Sequence, residues 1–316
     1  NDDNSGSDVQ SFTIVVANTN DAPTDMALSA SAIDENSAIG TTVATVTTTD
    51  VDAGDTTAYE QIGGSGADIF NISSPGGVIT TEAAIDHETD ASYTYQIRVT
   101  DSGSATYTET FTITITDVNE SPTDIALSSS SILENQGSYS QIGIFSNTDS
   151  DNGETYTYSL VSGAGDTNNS SFRIFKAGST NILTANNTTF NYETKDSYSI
   201  RVRVTDSDSQ TFEKALTISI SDVNEAPTDI ALSSSTIAED QSSGTTIGTF
   251  DPADVDQDEN SGGTNEDNNT YTYSLVAGTG DTDNGSFAIN SAGTGIETGI
   301  ALNYETKDTY LVRVNV

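Results

Sequence analysis

One stretch constrains this chain more than any other. Asp117-Val118-Asn119-Glu120-Ser121-Pro122-Thr123-Asp124-Ile125-Ala126-Leu127 recurs as Asp222-Val223-Asn224-Glu225-Ala226-Pro227-Thr228-Asp229-Ile230-Ala231-Leu232, with Ser121 and Ala226 the one difference. A degraded copy, Asn18-Thr19-Asn20-Asp21-Ala22-Pro23-Thr24-Asp25, lies near the start. Pro23 and Pro122 are 99 residues apart, and Pro122 and Pro227 are 105 apart. A period of about 100 residues is the size of one ordinary domain, so the chain reads as a row of similar modules linked by acidic joints.

The alternation of side chains supplies the fold class. Tyr93, Tyr95, Ile97 and Val99 alternate with Thr94, Gln96 and Arg98, and Phe111, Ile113 and Ile115 alternate with threonines. A period of two with one apolar face marks strands buried on one side. Thr42-Val43-Ala44-Thr45-Val46-Thr47 is rich in β-branched residues and reads as another strand. No helical period runs longer than a turn. About seven short strands in ~100 residues, punctuated by Gly, Asn, Asp and Ser, predict an all-β fold of tandem Greek-key β-sandwiches.

Taken in order, residues 1–22 hold a final strand (Phe12, Ile14, Val16) and a linker of a preceding repeat. Complete modules follow at 23–121 and 122–226. A third, 227–316, stops before its last strand and carries a polar insertion at 258–269 that reads as a long mobile loop. The simplest account is a window cut from a longer array; the alternative is that the orphan strand pairs with the truncated module of a neighbouring chain.

Charge narrows the function. There are 48 acidic and 9 basic residues, a formal charge of −39. Nucleic-acid binding needs a basic face, so that class is excluded. Like-charge repulsion of this size opposes compaction unless cations neutralise it. The chain has no cysteine, which fits either a reducing compartment or an extracellular protein stapled by metal. No apolar run reaches membrane-helix length.

Carboxylates recur at matched places in each module. Glu35 corresponds to Glu134 and Glu239; Asp86 and Glu88 correspond to Asn191 and Glu193, then to Asn303 and Glu305. Asp50 and Asp52 match Asp149 and Asp151, then Asp254 and Asp256, and Asp101 matches Asp206. Strand ends gather at the two poles of a sandwich, so acids of one module's lower pole would face those of the next module's upper pole.

These residues resemble the cadherin repeat. Its pattern has an acidic-Asn pair after the first strand, an Asp-x-Asp, a Leu-Asp-x-Glu, an Ala-x-Asp at a strand end, and an Asp-x-Asn-Asp-Asn-x-Pro joint. All five have counterparts here, in order and over nearly the whole chain. The resemblance implies calcium ions between successive modules. The first full joint would use Glu35, Asp86, Glu88, Asp117, Asn119, Glu120, Asp149, Asp151 and Asp206. The second would use Glu134, Asn191, Glu193, Asp222, Asn224, Glu225, Asp254 and Asp256. At the degraded joint Asn20, Asp21, Asp50, Asp52 and Asp101 remain, and weak binding or none is expected. This chain departs from the pattern in having Glu120 and Glu225 for Asp, one residue fewer before Pro, Asn191 for Asp86, and Asn18 for Asp. Independently of the resemblance, calcium takes six to eight oxygen ligands, and a cysteine-free chain with one histidine does not suit a transition metal.

Competing readings are weaker. Acidic linkers that only solubilise the chain need not match acids at strand ends elsewhere. Gly63–Phe70 fits a calcium-binding nonapeptide but occurs once, and reads as a turn. Asp254–Asp258 begins like an EF-hand loop, but Glu259 stands where that loop needs Gly. His87 reads as a tolerated exposed residue. Tyr93, Tyr95, Tyr156, Tyr158, Tyr271 and Tyr273 suit sandwich packing better than a carbohydrate platform. One histidine and no Gly-x-Ser-x-Gly turn leave no credible triad, and the acids repeat at joints and not in a pocket, so the chain reads as non-enzymatic. The expectation is therefore a calcium-stiffened repeat segment of a large cell-surface or secreted adhesion protein, closer in style to a bacterial adhesin than to an animal cadherin. Its partners would be calcium and itself, another surface protein or a glycan. The alternative is a carbohydrate-binding or passive spacer module of a larger extracellular protein.

Overall fold

Alternating segments have one face that must leave water, and sheets packed in pairs satisfy all of them at once. The computed structural model describes residues 7–52, 54–256 and 270–316 and is built in this way. The insertion at 258–269 lies outside the described residues. In the first module the strands are β1 (Asp25–Leu28), β2 (Ala32–Asp34), β3 (Thr42–Thr49), β4 (Ala58–Gly63), β5 (Phe70–Ile72), β6 (Val78–Thr81), β7 (Ser92–Thr100) and β8 (Thr106–Thr116). They form two sheets, ordered β1-β3-β6-β5 and β2-β8-β7-β4.

The second module has β9 (Asp124–Leu127), β10 (Ser131–Leu133), β11 (Gln141–Thr148), β12 (Thr157–Leu160), β13 (Phe172–Ala177), β14 (Thr180–Ala185), β15 (Ser197–Thr205) and β16 (Thr211–Ser221). Its sheets, β13-β14-β11-β9 and β10-β16-β15-β12, repeat the same order. The third has β17 (Asp229–Leu232), β18 (Thr246–Ala253), β19 (Ser274–Leu275), β20 (Phe287–Ile289), β21 (Gly295–Thr298) and β22 (Val314–Asn315), giving a β17-β18-β21-β20 sheet and a β19-β22 pair.

Eight strands per complete module replace the expected seven because the opening strand is split. β1 runs antiparallel to β3, whereas β2 crosses to the opposite sheet and runs parallel to β8. Among the described residues helical structure is confined to two single 3-10 turns, Asn169–Ser171 and Asn284–Ser286, and no helix is long and apolar enough to cross a membrane.

The β7–β8 hairpin sets the first core. Tyr93, Tyr95, Ile97 and Val99 point inward with Ile113 and Ile115, and pack in one core with Met26, Val46, Phe70 and Ile79 from the facing sheet and with Ile85 from the segment between β6 and β7. Phe70 packs edge-on against Tyr93 and Tyr95 at 5.8 and 5.9 Å between centroids. Phe172 on Tyr198 (5.9 Å) and Phe287 on Tyr310 (5.7 Å) occupy the matching places further on, while Phe145 stacks on Tyr158 (4.9 Å) and Phe250 on Tyr273 (4.6 Å) where the first module has Val46 and Tyr59. Those tyrosines are packing residues. Tyr271 instead donates its hydroxyl to Asp254 Oδ2 at 3.1 Å.

The expected strand at Phe12, Ile14 and Val16 is not formed. The three side chains are 82, 86 and 89% exposed, and no described strand pairs with them. A lone strand has no ladder for its backbone and no facing sheet for its side chains. Gly64–Ile69 is a turn leading into β5, as read from sequence.

The chain divides into two compact units: residues 1–124 with 147–157 and 204–212, and residues 125–146 with 158–203 and 213–316. All residues proposed for the first full joint fall in the first unit, and all those for the second in the other.

Candidate metal centres at the joints

Local backbone chemistry explains how each acid is held. In the three Asp-x-Asp turns the first carboxylate accepts from the second residue's N–H: Asp52 to Asp50 (2.9 Å), Asp151 to Asp149 (3.4 Å) and Asp256 to Asp254 (3.2 Å). Such Asx turns fix one oxygen and leave the other free to point elsewhere. Asp101 and Asp206 close the turns after β7 and β15, each accepting at 2.8 Å from the N–H four residues on.

Glu35 and Glu134 are buried at 4 and 0% exposure, and each joins two separate segments. Glu35 accepts from His87 N and Val118 N, both at 2.8 Å. Glu134 accepts from Tyr192 N (2.8 Å) and Val223 N (2.9 Å). Each buried glutamate thus draws its own module's Asp/Asn-x-Glu turn and the following joint to one point.

The joint segments themselves bind to acids in the same way three times. Asp21 N, Glu120 N and Glu225 N donate to Asp52, Asp151 and Asp256 Oδ2 at 2.6, 2.7 and 2.6 Å. Asn20 and Asn119 donate their side-chain amides to Asp101 and Asp206 Oδ2, at 3.0 and 3.2 Å. Asn18 donates to Asp52 Oδ1 at 2.8 Å. Asn224 donates to Glu225 O at 2.8 Å. The degraded joint therefore keeps the backbone geometry of the other two.

Carboxylate oxygens converge within 4.8 Å of one another in the sets Glu35–Glu88–Glu120, Glu134–Glu193–Asp222–Glu225 and Asp50–Asp55–Asp101. Asp86 does not join them, because its oxygens accept from Glu88 N (3.1 Å) and Thr89 Oγ1 (2.7 Å) in its own turn. Asn191 does not join them either. Its amide donates to Glu193 at 3.0 Å, a hydrogen bond where Asp would have repelled. Asp117 is 57% exposed in its side chain, and its nearest partner is the His87 ring at 3.9 Å.

The electrostatics record the crowding. Burial, reinforced by Glu35 and Asp151, pushes the Glu120 carboxyl up to about 7. Burial, the contact with Asp256, and Glu134 and Glu193 do the same to Glu225, also to about 7. Asp149 is raised by burial and by Asp151 and Asp206. The His87 ring, 3.2 Å from Glu88 Oε1, is raised by that contact first and then by Asp117 and Glu35, and it is half-buried against these acids, not the exposed residue expected from sequence.

Four residues at these sites were not among the expected ligands. Asp55 completes the Asp50–Asp101 set while accepting from Ser102 Oγ at 2.6 Å. Glu154, at the matching place in the next module, accepts from Ser207 N at 3.0 Å, so the recurrence of an acid after Asp-x-Asp-x-Gly was the signal available. Asn36 and Asn135, both in the left-handed region at φ 56°, donate to Glu120 and Glu225.

Whether these residues suit a hard cation can be tested on the oxygens left over. Asp50 Oδ2, Asp55 Oδ2, Glu88 Oε2, Asn119 Oδ1, Glu120 Oε2, Asp149 Oδ2, Asp151 Oδ1, Glu225 Oε2 and Asp256 Oδ1 are all shielded from solvent and accept no hydrogen bond. Buried acceptors in folded proteins are nearly always satisfied, and every one of these belongs to a joint. All are oxygens, the donor type calcium takes at 2.3–2.6 Å. The donor set fits.

Residues 29–116 match the cadherin domain family model. The mouse (Mus musculus) protein protocadherin Fat 4 is 28% identical over 293 residues, covering 89% of this chain and 6% of that protein, so the chain spans a small part of its relative. Among solved structures, protocadherin gamma B2 extracellular cadherin domains 3-6 superimpose with a TM-score of 0.60 at 22% identity, over 90% of this chain and 66% of that one. The protocadherin gamma B4 extracellular domain gives 0.60 at 24%, over 93% and 46%. Mouse cadherin-23 EC22-24 gives 0.54 at 20%, over 87% and 86%. At such identities the structural likeness is one of fold. With a cadherin domain at 29–116, and the same sheets and joint contacts recurring after Pro122 and Pro227, the chain is a tandem cadherin-repeat protein.

Proposed function

We propose that these repeats are the calcium-stiffened part of a large extracellular adhesion protein. The observation that carries this reading is the convergence, at each joint, of shielded carboxylate oxygens that no protein donor satisfies. Calcium would supply divalent positive charge to oxygens that otherwise repel one another. The chain's own part is positional. Glu35 and Glu134 hold the module's turn to the joint through two backbone N–H groups each, and Asp151 and Asp256 anchor the joint backbone from the following module's Asp-x-Asp turn.

The ligands would be Glu35, Glu88, Asn119, Glu120, Asp149, Asp151 and Asp206 at the first full joint, and Glu134, Glu193, Asp222, Glu225 and Asp256 at the second. Asp86 and Asn191 would shape their turns, and Asp117, Asn224 and Asp254 would lie at the margins. Asp50, Asp52, Asp55 and Asp101 with Asn20 and Asp21 would form a third site. The role is mechanical and non-catalytic: filled joints would hold neighbouring modules in line and present an adhesive end elsewhere in the protein. Small-angle scattering tests this. Adding calcium to the chelated chain is expected to raise its maximum dimension and narrow its distribution of shapes; an unchanged profile would remove the proposal.

A further inference from the structure

The second module differs from its neighbours on the outer face of the β13-β14-β11-β9 sheet. Gly40 and Gly244, at φ 89° and 86°, occupy the same turn before β3 and β18, where an added Cβ would meet open space. The second module has Tyr139 there, at φ 67°. A bulky residue in the left-handed region is strained, and such strain persists where something else holds it. Tyr139 is 52% exposed, so burial is not the compensation.

What Tyr139 meets is Arg173. The guanidinium carbon lies 5.3 Å from the Tyr139 ring centroid and 6.0 Å from that of Phe175, which is itself 48% exposed. Arg173 faces Thr184 across the hairpin, and Phe175 faces Ile182, which in turn faces Ile144 on β11. None of the four side chains recurs. Asn71 and Ala288 stand for Arg173, Ser73 and Asn290 for Phe175, and Thr45 and Thr249 for Ile144, besides the two glycines.

The charge is equally local. In a chain with 48 acids, none lies in 135–148 or 167–192, the segments that carry β11, β13 and β14. Elsewhere Arg98, Arg201, Arg203 and Lys307 pair with carboxylates, but Arg173 and Lys176 form no ion pair among the described residues.

From this we infer a binding surface for an acidic polysaccharide, one whose sugar rings carry carboxylates. A planar guanidinium flanked by two rings is pre-oriented and presents its N–H fork to a planar carboxylate. The exposed rings of Tyr139 and Phe175 suit the apolar faces of sugar rings. The rest of the chain repels polyanions, so an anionic ligand is confined to the acid-free segments that carry β11, β13 and β14. The surface is separate from the joints and does not depend on the calcium reading.

The test titrates the whole chain, with calcium present, with trigalacturonate, which is too short to bridge molecules through metal. Neutral maltotriose and a sulfated trisaccharide serve as comparisons. Binding to trigalacturonate is expected to weaken about tenfold or more in Arg173→Gln and in Phe175→Ala, the effect of losing one charge-assisted contact. Tyr139→Gly should also weaken binding while leaving the melting temperature unchanged or higher, which a purely structural tyrosine would not do. Equal affinity for maltotriose or for the sulfated sugar, no binding at all, or R173Q binding like the parent would each overturn the proposal. So would a change in sedimentation caused by R173Q, which would make a second copy of the chain the occupant.

Discussion

Glu134→Gln sets two effects of opposite sign against each other. The substitution keeps the side chain's size but leaves one carbonyl oxygen to serve two backbone donors, Tyr192 N and Val223 N. Hydrogen bonds to a charged acceptor contribute about 1.5–3 kcal/mol each, and a stranded donor costs about 1–3 kcal/mol. The loss on that side is about 3–6 kcal/mol. Against it stands repulsion: Glu134 shares its site with Glu193, Asp222 and Glu225, with oxygens within 4.8 Å of one another. At an effective dielectric near 20, one such pair repels by roughly 3.5 kcal/mol. Three neighbours give up to about 10 kcal/mol, less because Glu225, near 7, is half protonated at neutral pH. In chelator the relief therefore matches or exceeds the loss, and the melting temperature of E134Q should hold or rise. In calcium the repulsion is already neutralised, so the lost bond shows in full. The calcium contribution itself, about 2.7 kcal/mol per site at a hundredfold excess over Kd, is also reduced. Scanning calorimetry of both proteins in chelator and in calcium measures this directly. An equal drop in both conditions would refute the reasoning, since it would mean that the hydrogen bonds outweigh the charges and that no ion is involved.

Acidity should act in the same direction. Glu120 and Glu225 hold protons up to about 7 in the folded chain, against 4.5 ordinarily, so the folded state binds more protons between those values. Their contribution to stability is present in full below about 4.5 and lost as pH rises through 7, so melting in chelator should fall between about pH 5 and 8 and flatten in calcium; a flat profile in chelator would contradict the crowding. Ile200 is fully buried, so Ile200→Ala should cost about 2–5 kcal/mol of second-module stability, read by denaturant unfolding, with calcium affinity at the first joint unchanged.

Much of this molecule was legible in its residues. The repeated joint gave the period, and the alternation through Tyr93–Val99 and Phe111–Ile115 gave the paired sheets, because a period-two apolar face has few ways to leave water. The recurrence of Glu35, Glu134 and the Asp-x-Asp pairs marked where the acids would collect. Side-chain direction was not legible. Asp86 and Asp55 are both acids in turns, yet hydrogen bonding closes Asp86 onto its own turn and leaves Asp55 aimed at Asp50 and Asp101. The split of the opening strand between two sheets depends on pairing with β3 and β8, which lie far along the chain. Nor could spacing alone bring Tyr139, Arg173 and Phe175 together. They are more than thirty residues apart in part, and only the register of β13 on β14 and β14 on β11 puts their rings on one face. Sequence patterns report which faces must be buried; contacts between distant segments decide where each polar group finds, or lacks, its partner.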